Sequence, residues 1–98
     1  MCKTVFSISY KIMPEKREDY LDVVRELKNL MKAEGLERYS VFQMKNDENS
    51  FEEIYLFESK QAFEDFDDDP DERVDILMNK LSDMIIDHST RYNVLYEV

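Results

Sequence analysis

Residues 36–58 read LERYSVFQMKNDENSFEEIYLFE, and this stretch decides the fold. Side chains alternate in character along residues 36–45 and again along residues 51–58, with the period of two that is typical of β-strands. The polar residues 46–50 separate the two runs, so the sequence predicts a β-hairpin. Both faces of its second strand carry apolar side chains, because Phe51, Tyr55 and Phe57 alternate with Ile54 and Leu56.

The segment before the hairpin predicts one strand and one helix. Residues 3–12 alternate, and one face of this strand carries Thr4, Phe6, Ile8, Tyr10 and Ile12. Pro14 suits the first position of a helix, where a backbone N–H has no partner. Apolar residues then recur every three or four positions as far as Met31, so we expect an amphipathic helix of about five turns. Gly35 follows, and a glycine at that place is typical of a helix C-cap.

The segment after the hairpin predicts a short helix, a long helix and a strand. Ser59 suits the N-cap of the short helix, which contains Ala62, Phe63 and Phe66. Asp69 and Glu72 resemble a capping box with Pro70 at the first helical position, so the long helix is expected to begin there. The last strand is expected over residues 90–98, with Tyr92, Val94, Tyr96 and Val98 on one face.

The order strand, helix, strand, strand, helix, strand predicts an α+β fold of the ferredoxin-like split βαβ type in one domain, residues 1–98. Its antiparallel four-stranded sheet has helices on one face only. The other face is too apolar to stay in water, and the economical cover is a second copy of the same sheet. We therefore expect a homodimer in which two sheets close into a dimeric α+β barrel.

Charge and composition disfavour several partners. The net charge of −10 repels nucleic acid and anionic membranes, and no apolar run approaches the length of a membrane span. The N-terminus leads into strand sequence without the apolar core of a signal peptide, so a cytoplasmic location is expected. Cys2 is the single cysteine, which leaves no internal disulfide and no multi-cysteine metal site.

The polar residues offer weak candidates for chemistry. His88 is the single histidine, and its position after the second long helix favours a structural role at the helix C-terminus. Its neighbours Asp87 and Ser89 complete the residue types of a hydrolase triad, but consecutive residues at a helix end splay apart. Residues 64–75 are strongly acidic, yet a calcium loop read from Asp67 has Glu72 where glycine is needed, so no metal is predicted.

Residues 55–66 read YLFESKQAFEDF. From Phe57 to Phe63 this segment has an aromatic residue, an acidic residue, a serine, two polar residues, an alanine and a second aromatic residue. The segment resembles the antibiotic biosynthesis monooxygenase family. The Pro14-Glu15 start of the first helix adds to the resemblance. It implies a dimeric α+β barrel with a pocket between the helices and the sheet. Members of this family oxidise aromatic polyketides with dioxygen and without a cofactor, or cleave haem.

Three departures from the family qualify what the resemblance implies. Members commonly have Trp at the position of Phe57 and His at that of Phe66, and haem-cleaving members have Asn near Ile8. All three positions are apolar here, so no axial ligand for haem is present there and no cofactor is expected. The resemblance implies a ligand pocket at four residues: Ile8, Tyr55, Phe57 and Phe66.

Two functional hypotheses remain open, and they differ on whether the protein is an enzyme. The first is a small oxidoreductase or binder that holds a flat aromatic molecule. The second is a non-catalytic dimeric scaffold or ligand sensor, in which phenylalanines fill the family pocket and Phe57 touches Phe66. A cavity on the order of 300 Å³ beside Phe57 would favour the first.

Overall fold

The computed structural model describes residues 2–66 and 71–98. Its elements are β1 (Thr4–Lys11), α1 (Arg17–Leu30), β2 (Leu36–Met44), β3 (Asp47–Phe57), α2 (Lys60–Asp65), α3 (Glu72–Met84) and β4 (Arg91–Tyr96). The strands form one sheet in the order β2-β3-β1-β4, and every neighbouring pair is antiparallel. This arrangement confirms the predicted α+β ferredoxin-like fold.

The register of the sheet confirms which residues share a face. Phe6 lies opposite Tyr55 of β3 and Val94 of β4, so these three side chains project to the same side. The helices lie on that side: the Phe6 ring contacts Phe63 of α2, and the Tyr10 ring contacts α1. On the same side, Tyr92, Val94 and Tyr96 of the edge strand β4 remain exposed. The core between the helices and the sheet contains Tyr10, Ile12, Tyr20, Val23, Leu27, Phe51, Tyr55, Phe57, Val74, Leu77 and Leu81.

The end of the first helix differs from the prediction. A 3₁₀ turn at Pro14–Lys16 precedes α1, which ends at Leu30 and spans 14 residues rather than about five turns. Gly35 therefore does not cap the helix but turns the chain into β2, with φ of 81°. Only glycine fits there, because a Cβ would lie 2.5 Å from the Cβ of Ala62.

The hairpin is tighter than its polar sequence suggests. Met44 pairs with Asp47, so β3 begins four residues before Phe51 and the predicted loop 46–50 is mostly strand. Polar side chains are accommodated because Asp47 accepts hydrogen bonds from the Asn49 N–H and the Ser50 hydroxyl, and forms a 3.0 Å ion pair with Lys11.

The remaining boundaries shift by a few residues. Ser59 caps α2 as predicted, since its hydroxyl accepts the Ala62 N–H at 3.0 Å. Asp71 caps α3, because its carboxylate accepts the Arg73 N–H. The predicted capping residue Asp69 and Pro70, with the acidic residues 67–68, lie outside the described part of the chain. The last strand occupies residues 91–96 of the predicted 90–98.

The face of the sheet opposite the helices carries a mixture of apolar and polar side chains. Its apolar members are Val5, Phe42, Ile54, Leu56 and Leu95, as the strand register places them. Phe42 and Leu95 are more than half exposed in the single chain. The predicted apolar second face is therefore present.

Candidate functional site

A cavity of about 330 Å³ lies between the sheet and the C-terminal end of α3. Strand residues form its floor, and the segment that follows α3 forms its rim. The residues that line it are Ile8, Tyr10, Glu53, Met78, Leu81, Ser82, Ile85, Ile86, Asp87, His88, Thr90 and Tyr92. Its volume lies in the range of small-molecule sites and suits a ligand of two or three fused rings.

Glu53 is the unusual member of this lining. It lies on the helix-facing side of β3 between Phe51 and Tyr55, and its side chain is only 1% exposed. Among residues 2–66 and 71–98, no Lys, Arg or His forms an ion pair with it. Burial raises the pKa of its carboxyl above the ordinary value, because the charged form loses its hydration.

Tyrosine hydroxyls surround the Glu53 carboxyl. The Tyr39 hydroxyl donates a hydrogen bond to Glu53 Oε1 at 2.7 Å, and the Tyr55 hydroxyl donates to the same oxygen at 3.3 Å. The Tyr10 hydroxyl also interacts with the carboxyl, and together these donors lower its pKa against the larger effect of burial. Donors of this kind stabilise a negative charge without supplying a positive one.

The tyrosines themselves are held as neutral hydrogen-bond donors. Burial and the neighbouring Glu53 raise the pKa of Tyr10, Tyr39 and Tyr55 far above the ordinary value for a phenol. Behind them, the hydroxyls of Tyr10 and Tyr20 are 2.8 Å apart. Within this cluster Glu53 is the one acidic side chain, and burial is the main cause of its raised pKa.

Backbone contacts fix the rim of the cavity. Ile12 and Ile85 form an isolated β-bridge, and the Ile86 N–H donates to the Lys11 carbonyl at 2.8 Å. The Ser89 hydroxyl donates to the Ile86 carbonyl at 2.6 Å and so closes the turn. His88 lies within this turn at φ 67°, beyond the end of α3, and lines the cavity.

The four residues predicted to bind a ligand divide into two places. Phe57 and Phe66 touch, with ring centroids 5.1 Å apart, as the sequence predicts. Tyr55 packs against the Phe66 ring at 5.7 Å, and Phe63 packs against Phe57 at 5.6 Å. These rings fill the space between α2 and the sheet, and neither Phe57 nor Phe66 lines the 330 Å³ cavity. Ile8 does line it.

Glu53 is the site residue that the sequence analysis missed. A signal for it was present, because the alternation of β3 places Glu53 on the same face as three large aromatic residues. A lone acidic residue on an otherwise apolar strand face is rare unless it is paired or functional.

The described part of the chain contains neither a cluster of metal-ligating side chains nor a membrane-spanning helix. Residues 2–66 and 71–98 contain no group of three or more His, Cys, Asp or Glu side chains placed to hold a metal ion. Over the same residues, none of the helices combines the length and apolar character needed to cross a bilayer.

Residues 5–72 match the model of a known protein family, antibiotic biosynthesis monooxygenase. The chain belongs to this family. Among curated proteins, no sequence matches it significantly. The match covers β1 to the start of α3 and therefore includes Glu53 and the aromatic cluster of α2.

Solved structures share the fold at low sequence identity. A conserved protein from Methanosarcina mazei Go1 superposes with a TM-score of 0.80 at 16% identity, over 100% of this chain and 95% of that one. A cofactor-independent oxygenase from Streptomyces nogalater gives 0.73 at 12% identity, over 95% and 90% of the two chains. A putative antibiotic biosynthesis monooxygenase from Nitrosomonas europaea gives 0.77 at 10% identity, over 95% and 88%.

Proposed function

We propose that this protein is a cytoplasmic homodimer that binds a flat aromatic or quinone-like molecule in the cavity beneath α3 and acts on it as a small, cofactor-independent oxidoreductase. The observation that carries the proposal is the buried carboxyl of Glu53 at the wall of a cavity of ligand size. Membership of the monooxygenase family supports the reaction class.

Glu53 has the properties of a general base for such a ligand. Burial raises the pKa of its carboxyl, which makes the carboxylate a stronger base than an exposed glutamate. A C–H proton of an activated ring CH₂, as in the middle ring of an anthrone, would pass to the Glu53 carboxylate, and the carbanion formed reacts with dioxygen. Overall, a ring CH₂ becomes C=O with one oxygen atom of O₂, and the second oxygen atom leaves as water with the two hydrogens.

The walls of the cavity suit a flat ligand. Tyr92 stacks on Phe6 with an interplanar angle of 12°, and its ring borders the cavity together with Ile8. Aromatic and aliphatic walls favour a planar ring system because they replace water on both of its faces. Polar groups at the rim, from Ser82, Asp87 and Thr90, can hydrogen bond to substituents.

A non-catalytic scaffold or sensor is the second candidate. It is favoured by the packing of Phe57, Phe63 and Phe66, which fills the place where the family resemblance predicted the pocket. In that case Glu53 would bind a ligand without changing it.

Oxygen uptake in the presence of anthrone, corrected for the rate without protein, distinguishes the two. We expect the wild-type protein to accelerate oxygen uptake. In the Glu53→Gln variant the protein-dependent rate should fall by at least about tenfold, as for the loss of a general base. Glu18→Gln, at an exposed position of α1 away from both the cavity and the proposed dimer face, is the control and should keep the wild-type rate. Thermal stabilisation by anthrone without oxygen uptake would instead support the sensor.

The homodimer is supported by the face of the sheet that carries Phe42 and Leu95. Both side chains are more than half exposed in the single chain, and all of the described helices lie on the other face. A second sheet would remove this apolar surface from water.

A further inference from the structure

A second, outer groove lies on the opposite side of Glu53 from the cavity. It has a volume of about 400 Å³ and runs between the C-terminal end of α1 and the start of β2. Its lining contains Lys28, Lys32 and Arg38, and also the ring of Tyr39. Its one acidic lining residue, Glu37, is paired with Lys3 at 2.6 Å.

Tyr39 therefore joins the outer groove to the buried carboxyl. Tyr39 is one of the residues that line the groove, and its hydroxyl donates to Glu53 at 2.7 Å. A phenol in this position has separate routes for an electron and a proton, the first through the ring edge and the second along the hydrogen bond.

We infer that Tyr39 and Glu53 form a redox-active pair, in which a small one-electron oxidant in the outer groove takes an electron from Tyr39 while the phenol proton moves to Glu53. The O–H bond of Tyr39 breaks, and an O–H bond forms on the Glu53 carboxylate. The tyrosine becomes a neutral tyrosyl radical, and the oxidant is reduced by one electron. The proton transfer is essential, because the oxidised phenol is a strong acid that is not stable as a buried cation.

The surroundings of the pair favour this reaction. Tyr55 also donates a hydrogen bond to Glu53, and burial raises the pKa of Tyr55 so that it remains a neutral donor. The Tyr39 ring lies 4.9 Å from that of Tyr55, so one side of the radical would pack against an aromatic ring. The three basic residues of the groove attract an anionic oxidant to a protein whose overall charge is −10.

The test oxidises the purified protein with hexachloroiridate(IV) in alkaline buffer, without any aromatic ligand, so that its outcome is independent of the proposed enzymatic function. Stopped-flow absorbance and electron paramagnetic resonance detect the tyrosyl radical. We expect a fast phase that slows in deuterium oxide, and that is lost or slowed at least tenfold in Tyr39→Phe. Glu53→Gln should slow it similarly and abolish the isotope effect, because an amide oxygen is a far weaker base than a carboxylate.

Controls separate this pair from ordinary surface oxidation. Tyr92→Phe and Tyr96→Phe remove tyrosines that are 66% and 52% exposed, and each should leave the fast phase intact. Lys32→Gln should slow the reaction of the anionic oxidant, whereas Lys60→Gln, outside the groove, should slow it less. Loss of the fast phase in Tyr92→Phe or Tyr96→Phe, or its persistence in Tyr39→Phe, would overturn the inference. If Glu53→Gln does not fold, two other results test the inference. A solvent isotope effect in the wild type and loss of the fast phase in Tyr39→Phe would support it, and the absence of either would overturn it.

Discussion

At the scale of single residues, the charge state of Glu53 is linked to the stability of the fold. Burial raises the pKa of this carboxyl in the folded protein above its value in the unfolded chain. Between the two values, the folded state binds more protons than the unfolded state, so stability falls as pH rises and levels off above the folded pKa.

Glu53→Gln should therefore remove a pH dependence. We expect the free energy of unfolding of the wild type, measured with urea, to fall relative to that of Glu53→Gln as pH rises from about 4.3, the ordinary value for glutamate. The slope of this difference cannot exceed about 1.4 kcal/mol per pH unit for one group. A flat difference for Glu53→Gln would mean that Glu53 ionises normally.

Gly35 is under two independent constraints, its left-handed backbone and its closeness to Ala62. Gly35→Ala should destabilise the protein by more than the roughly 1–2 kcal/mol that the backbone conformation alone costs, because the new Cβ meets Ala62. The double variant Gly35→Ala with Ala62→Gly should recover the steric part only. Urea unfolding of the two variants measures both parts, and full recovery would show that the backbone is not strained.

At the scale of elements, the aromatic cluster joins α2 to β3. Phe57 is completely buried and contacts Phe63 and Phe66. Phe57→Ala should reduce the free energy of unfolding by about 3–5 kcal/mol, as for other buried aromatic residues. Phe63→Ala, at a half-buried position in the same cluster, should cost less. A small effect of Phe57→Ala together with altered ligand binding would place the ligand site here instead of beneath α3.

The strands and long helices were predictable from sequence because each repeats a local pattern, such as the alternation of residues 51–58. The ends of the elements were harder to predict from sequence. Gly35 forms a turn and Asp71 forms a helix cap, and both depend on neighbouring elements. The carboxyl site was not predicted, because Tyr39 and Tyr10 reach Glu53 only through the register of β2 and β1 against β3. A local pattern carries no information about that register.

At the scale of the whole molecule, the proposed dimer makes its own prediction. Sedimentation equilibrium at micromolar concentration should give twice the 11.8 kDa chain mass. Leu95→Glu should shift the equilibrium to monomer, because it places a charge on the face proposed to meet the partner, where Leu95 is 57% exposed. Ile76→Glu changes a similarly exposed side chain on α3 and should leave the dimer intact. A wild-type monomer would remove the proposal.

The pairing of β1 with β4 sets an order for folding during synthesis. Thr4 of β1 pairs with Tyr96 of β4, so β1 leaves the ribosome long before β4 has been made. The β2–β3 hairpin, β1 and α1 can associate earlier, since their contacts are closer in sequence. Tyr92, which closes one wall of the cavity, arrives only with β4. The cavity wall that Tyr92 forms is therefore completed only after the strands and helices that precede β4 have been made.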